Sequence, residues 1–403
     1  MKINKNRYVV LVAGMLIQLF AGIIYMWSVF KGPVLEFLKV SKDDAKSFGS
    51  MTSSVMLASF VIGIMVGGKI QDKIGPRIVV ISGSSLIGLG MLATWLFIDP
   101  SRPSLIHLTY GVLGGIGVGF VYTTAVSVVQ KWFADKRGFA TGMMVSAFGF
   151  SLVVFTPFTK WLLSDKGVPN TFLILGILYL VVCLTSSMFI ANPPADFAAK
   201  PSASGGAPST AKHYTTLDML KTPQFYLIAV GMMLILPAYF ILNPQFITLG
   251  KEKDLSEAGT TALVMVTGVA SASGRLLFSW LSDVIGRKKT IIAIIITTIA
   301  AVLLLIPATG ALFFICVGAI AFAFGGSAGV FPALTADNFG TKHMGMNYGC
   351  IMVGFGISAL VFPQVSQRLP VDHGHAASFI LAASTCVISL VLILLLKRTK
   401  QED

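Results

Sequence analysis

The chain has 403 residues, of which 55% are hydrophobic and 12% are charged, and its formal net charge is +13. A soluble globular protein carries roughly 25% charged residues. Because apolar runs of about 20 residues recur along the chain, the composition excludes that class and predicts a polytopic membrane protein. Each span must satisfy its own backbone hydrogen bonds in lipid, so we expect the spans to be helices.

Hydropathy predicts twelve transmembrane helices. In chain order they cover residues 8–30, 49–70, 77–98, 105–130, 138–163, 170–192, 223–249, 257–282, 289–308, 311–335, 344–367 and 375–396. A stretch rich in Pro, Gly and Ser follows the sixth span and reads as a flexible cytoplasmic linker, because it cannot build a core. We therefore predict an N-terminal six-helix bundle at 1–192, a linker at 193–221 and a C-terminal six-helix bundle at 222–403.

The positive charge is distributed by topology. With both termini on one side, that side carries 19 of the 30 Lys and Arg residues, while the acidic residues divide almost evenly. The positive-inside rule makes the basic side cytoplasmic. We expect a multi-pass protein of the plasma (inner) membrane with both termini cytoplasmic, acting as a monomer in the lipid bilayer, and no nucleic-acid partner.

Arg275, in the eighth span, is the one formal charge at hydrocarbon depth. An Arg at the bilayer centre costs about 2.5–3.5 kcal/mol on insertion scales. It lies eight residues before Asp283, about 12 Å along the helix axis, too deep to reach either surface comfortably. Since Arg suits bidentate carboxylate binding, its position predicts the handling of a small organic anion.

Two loops of the chain repeat each other. After the second span Asp72 is followed three residues later by Gly75 and then Arg77, and after the eighth span Asp283 is followed by Gly286 and Arg287. Each Gly permits a left-handed turn between two helices. Two copies at equivalent helices predict a duplicated six-helix unit.

These loops resemble the cytoplasmic signature of the major facilitator superfamily, whose members are two six-helix bundles that rock about a central site. The segments 22–30, 131–142 and 332–340 are similar to the oxalate/formate antiporter family and to its monocarboxylate-transporter relatives. The resemblance implies an all-α fold of 12 transmembrane helices. It also assigns gating to the loop residues of both repeats, which are Asp72, Arg77, Asp283 and Arg287.

The same resemblance implies candidate substrate ligands. It implies that Arg275 binds a substrate carboxylate and that Tyr25 and Tyr122 are among the substrate-facing tyrosines. The remaining candidates are polar or aromatic residues of later spans that either face the substrate or serve as helix packing: Tyr239, Asn243, Phe324, Phe331 and Phe355.

Two departures from the family pattern limit the substrate. Phe355 stands where the oxalate antiporter has a second cation, a Lys, and Ser271 stands where eukaryotic-type monocarboxylate transporters carry an Asp for proton coupling. One cation suits a monoanion. His107 is the remaining titratable candidate for proton coupling, although an interfacial role fits it better, so a co-transported proton is left open.

We therefore expect a secondary transporter of small monocarboxylates such as lactate, pyruvate or formate, working by alternating access. The first alternative is an antiporter of oxalate or another dicarboxylate for formate, and a remote one is a membrane sensor that does not transport. An enzyme is not expected, because no metal-ligand cluster, nucleophile–base pair or carboxylate dyad lies at bilayer depth. We predict no cofactor and no metal.

Overall fold

The computed structural model describes residues 6–194, 213–242, 249, 250, 253, 255–369 and 376–397, and all regular secondary structure in these residues is helical. The first half of the chain contains six α-helices. They are α1 Arg7–Ala21, α2 Trp27–Phe37, α3 Lys42–Ile74, α4 Pro76–Phe97, α5 Gly114–Trp132 and α6 Arg137–Ser187, with a 3₁₀ turn at Gly22–Tyr25 and a π-helix at His107–Leu113.

The second half contains eight more α-helices within the described residues. They are α7 Thr216–Leu220, α8 Pro223–Ile235, α9 Pro237–Leu242, α10 Glu257–Ile285, α11 Arg287–Leu305, α12 Gly310–Phe339, α13 Met344–Gln367 and α14 Ala376–Leu395. The predicted linker, residues 193–221, falls largely outside the described residues, so the predicted bundle boundaries stay a prediction.

The predicted all-helical membrane fold is confirmed. Ten helical stretches of the described chain are long and apolar enough to cross a membrane. One of them, α6, has 51 residues and bends at Gly167, where φ is 74°, which divides it into the two predicted spans 138–163 and 170–192. The helix α10, of 29 residues, is the predicted eighth span. Within the described residues, each of the twelve predicted spans thus consists of one helix, of part of one, or of consecutive helices.

Two predicted spans are not continuous helices. The first, 8–30, ends its α-helix at Ala21 and passes through the 3₁₀ turn Gly22–Tyr25 before α2 begins. The seventh span, 223–249, passes from α8 to α9 at Pro237. Proline lacks the backbone N–H that would continue the helical hydrogen bonds of α8. Hydropathy detects neither break, because both stretches remain apolar throughout.

The chain divides into two compact units. The first comprises Met1–Phe133 and Ala147–Ala199, and the second comprises Ala134–Ser146 and Lys200–Asp403. The helix α6 therefore belongs to the second unit at its start and to the first unit along the rest of its length.

In the first unit, glycines of α5 allow three helices to approach closely. A Cβ on Gly115 would lie 2.5 Å from the carbonyl oxygen of Met56 on α3, and one on Gly117 would lie 2.7 Å from the carbonyl oxygen of Gly83 on α4. Small residues at such contacts let helix backbones meet in a membrane, where lipid offers no hydrophobic drive for association.

In the second unit, glycine residues likewise allow α10 and α12 to pack closely. A Cβ on Gly274 would overlap the carbonyl of Phe322, a Cβ on Gly325 would overlap the carbonyl of Ser271, and a Cβ on Gly329 would lie 2.6 Å from the carbonyl oxygen of Arg275. The helix that carries Arg275 is therefore held by close backbone contact against about two turns of α12.

We expect Gly325→Ala to lower the free energy of unfolding by about 1–3 kcal/mol, the usual cost of an overpacked contact, because the new methyl group meets a backbone carbonyl. Gly268→Ala on α10 is the matched control, since nothing lies within 4 Å of its added Cβ. It should gain up to about 1 kcal/mol from reduced chain entropy. Thermal unfolding midpoints in detergent measure both, and equal midpoints would contradict the contact.

Candidate functional site

Arg275 is buried in the second unit. Its side chain lies on α10 at 3% exposure, and its Nη1 donates to the backbone carbonyl of Val145 at 3.1 Å. Val145 belongs to the start of α6, which is part of the same unit. Between Glu257 and Asp283 the helix carries no other formal charge. The charge predicted at membrane depth is thus enclosed by protein, and one of its donors is bound to a carbonyl dipole.

Small residues of α6 bring it close to the turn of α10 that holds Arg275. A Cβ on Gly142 would lie 2.7 Å from the Cβ of Ser279 and 3.0 Å from the carbonyl oxygen of Arg275. One turn further, the hydroxyl of Ser146 donates to the carbonyl of Ala272 at 2.9 Å. A larger side chain at position 142 would separate the helices and move the Val145 carbonyl away from the guanidinium.

An aromatic cluster lies in the same unit and brings together three of the predicted residues. The ring of Tyr239 stacks on Phe324, with centroids 3.9 Å apart and planes 11° apart. Phe240 contacts Phe324 at 5.6 Å and Phe355 at 5.1 Å, both edge-on. Phe331 is fully buried on α12, and Asn243 lies outside the described residues. Phe240, which joins the cluster, was missed by sequence reasoning because nothing distinguishes it among 29 Phe residues.

The two predicted tyrosines of the first unit share one aromatic neighbour. Phe148 packs edge-on against Tyr25 at 5.3 Å and against Tyr122 at 5.0 Å. The backbone carbonyl of Tyr122 also accepts a hydrogen bond from Nε2 of Gln18, a fully buried side chain on α1. Phe148 and Gln18 were both missed, although a Gln inside an apolar span is a signal that could have been read.

His107 is the first residue of the π-helix. Its Nδ1 lies 3.0 Å from the hydroxyl of Thr52, and its ring centroid lies 4.5 Å from that of Phe48, so both contacts tie the imidazole to α3. These contacts fit the interfacial role. Its part in proton coupling stays a prediction.

The predicted gating residues Asp283 and Arg287 lie in an ion-pair network at the end of α10. The carboxylate of Asp283 accepts from the backbone N–H groups of Gly138 at 2.9 Å and Phe139 at 2.7 Å, the first turn of α6. A carboxylate at a helix N-terminus satisfies free N–H groups and complements the helix dipole. Arg287 pairs with Asp283 at 2.6 Å.

Two further members of this network were missed. Asp337, at the end of α12, pairs with Arg287 at 2.9 Å and with Arg137 at 3.2 Å. The side chains of all four charged residues are less than 20% exposed. Both missed residues lie in the segments 131–142 and 332–340 that carry the family resemblance, but their pairing joins positions 200 residues apart, which spacing alone does not reveal.

The N-terminal loop copy shares the backbone turn of the C-terminal copy. Gly75 and Gly286 have φ values of 89° and 94°, a region that side chains with a Cβ rarely adopt. In the N-terminal copy Asp72 is exposed, and the Nε of Arg77 donates to the carbonyl of Ile190 at 3.4 Å. The repeat predicted from Asp-x-x-Gly is therefore seen in the backbone, with different partners for its cations.

Long apolar helices in two compact units, one of which encloses a buried arginine, define a polytopic helical membrane protein. The sequence model described as Major Facilitator Superfamily matches residues 9–249 and 228–403, so the chain belongs to this superfamily. It is a transporter of that superfamily and not an enzyme.

Comparisons with individual proteins support the assignment to this superfamily. The chain is 29% identical over 394 residues to the oxalate:formate antiporter of Oxalobacter formigenes, covering 96% of this chain and 90% of that protein. It is 24% identical over 379 residues to monocarboxylate transporter 13 of Rattus norvegicus, covering 90% and 82%. The structure resembles that of the transporter FucP in the outward conformation, with a TM-score of 0.75, 14% identity and coverage of 97% and 99%, which shows the shared fold.

We expect Asp337→Asn to lower the free energy of unfolding by about 1–3 kcal/mol, because it removes the charge that pairs with two partly buried arginines. Asp165→Asn is the matched control, since the side chains of Asp165 and its partner Lys166 are 47% and 50% exposed and exposed pairs contribute about 0–1 kcal/mol. Thermal unfolding in detergent compares the two. Equal destabilisation by the two substitutions would show that the network stabilises the fold no more than a surface ion pair does.

Proposed function

We propose that this protein is a secondary active transporter of small monocarboxylates, of the lactate, pyruvate or formate type, and that it works by alternating access. The observation that carries the proposal is the buried guanidinium of Arg275. The substrate carboxylate pairs with it.

The electrostatics of Arg275 support an anionic substrate. A backbone carbonyl such as that of Val145 offers a dipole, whereas a buried guanidinium is stabilised best by a full negative charge. A carboxylate can accept two parallel N–H bonds from the guanidinium, and such charge-assisted pairs are about twice as strong as neutral hydrogen bonds. A bound carboxylate therefore stabilises the buried guanidinium more than a backbone dipole does, which favours exchange or tightly coupled symport over return of the empty site.

The aromatic cluster supports a single carboxylate. Phe355, at the position of the antiporter's second cation, packs against Phe240 and offers an apolar contact. A second carboxylate would lose its hydration there without gaining a counter-ion. A monoanion with a short organic tail meets both requirements, since its charged end binds Arg275 and its apolar end meets aromatic rings.

The alternative is exchange of oxalate or another dicarboxylate for formate. The similarity to the oxalate:formate antiporter over 96% of the chain favours it. A membrane sensor that binds the anion without transport is a remote alternative. We place the protein in the plasma membrane with both termini cytoplasmic, on the distribution of Lys and Arg, and we expect it to act as a monomer.

Arg275→Ala and Arg275→Lys should both reduce exchange of labelled lactate at least tenfold in liposomes preloaded with unlabelled lactate. Ala removes the charge, and Lys keeps it but loses the bidentate geometry. Uptake is measured with and without an imposed pH gradient, which reads whether a proton is co-transported. Arg102→Lys, on an exposed loop, is the control. Exchange like that of the unmodified protein in both Arg275 variants would refute the role of this residue.

Phe355→Lys should shift the preference toward oxalate, because it adds a second cation for a second carboxylate. In the unmodified protein, pyruvate should compete with labelled lactate more effectively than oxalate does, and the substitution should reverse that order. Phe355→Leu is the control that removes the ring without adding charge. If oxalate already competes better in the unmodified protein, the dicarboxylate alternative is correct.

A further inference from the structure

We propose that the first part of α6, residues 137–146, positions Arg275, and that a bound substrate carboxylate displaces the carbonyl of Val145 from the guanidinium. We call these residues the α6 N-terminal segment. Substrate occupancy thereby loosens the packing of this segment on α10. The inference rests on the proposed role of Arg275 as the carboxylate ligand.

Hydrogen bonds at three levels hold the segment on α10. At its start, the N–H groups of Gly138 and Phe139 donate to the carboxylate of Asp283. At its end, the carbonyl of Val145 accepts from Arg275, and the hydroxyl of Ser146 donates to the α10 backbone. Of these bonds, the one to Arg275 involves the residue proposed to bind substrate, so it is the one that substrate can change directly.

The steric fit adds to these bonds. Positions 138, 142, 145 and 146 follow helical spacing and therefore share one face of α6. A Cβ on Gly138 would lie 2.6 Å from Oδ1 of Asp283, and Gly142 meets Ser279 and the Arg275 carbonyl. Glycines at both positions leave the guanidinium within reach of the Val145 carbonyl. The segment thus fixes where the guanidinium points.

Competition for the guanidinium follows from the chemistry of the two acceptors. A backbone carbonyl is neutral, whereas a carboxylate is charged and accepts shorter and stronger bonds. The guanidinium has five N–H donors, and a carboxylate that binds it end-on uses both Nη atoms as its bidentate donors. This geometry draws Nη1 away from the Val145 carbonyl, and the segment loses one of its attachments to α10.

Hydrogen–deuterium exchange tests the proposal without altering the contact. Exchange of the backbone amides of residues 137–146 is followed by mass spectrometry in nanodiscs, with and without saturating lactate, pyruvate and oxalate. We expect the anion that binds to speed exchange of these amides roughly tenfold, which corresponds to about 1.4 kcal/mol.

Arg275→Gln should speed exchange of the same amides without any anion and abolish the response to it. The control is α4 of the first unit, Pro76–Phe97, whose exchange should be the same with and without anion. A general effect of the anion on exchange would change both segments equally and would overturn the proposal.

Binding of the anion is measured separately, by its effect on the thermal unfolding of the unmodified protein. If an anion binds but exchange of residues 137–146 is unchanged or slower, the positioning role is wrong while the proposed function stands. If no monocarboxylate binds, the proposed function fails.

Discussion

A guanidinium enclosed at 3% exposure constrains how the helices around it pack in the second unit. Its helix carries no other formal charge for seventeen residues before it and seven after it. Water does not reach it freely, so the surrounding protein must supply polar partners. Gly142 on α6 and Gly329 on α12 let these two helices approach the turn of α10 that holds Arg275. This approach brings the carbonyl of Val145 within hydrogen-bonding distance of the guanidinium. The close packing of α6, α10 and α12 is thus inseparable from keeping this charge.

The electrostatics of α10 differ between its middle and its end. At the end, Asp283 and Arg287 are paired with each other, and with α6 and α12, so their charges are compensated by protein. In the middle, Arg275 receives a backbone dipole from Val145.

Hydropathy and charge predicted most of the fold, because lipid imposes helices of a narrow length range. Positive φ at Gly75 and Gly286 likewise follows from the Asp-x-x-Gly pattern. The 3₁₀ turn at Gly22–Tyr25 was not predictable from apolar composition. The pairing of Arg137 with Asp337 was also not predictable from the sequence, because it depends on which helices become neighbours. Local rules fix local geometry, whereas site partners come from packing between distant segments.

Selectivity, on the proposed function, comes more from rejection than from attraction. An apolar wall distinguishes poorly between tails that differ by one methylene, a difference of about 1–3 kcal/mol. A second carboxylate beside Phe355 is rejected more strongly, because a desolvated charge without a partner costs several kcal/mol. The same argument explains why a single arginine suffices. On the proposed function, Arg275 attracts any small carboxylate, and the aromatic residues around Phe240 and Phe355 exclude those that carry a second charge. The breadth of the substrate range that we propose and its limit therefore have one physical origin.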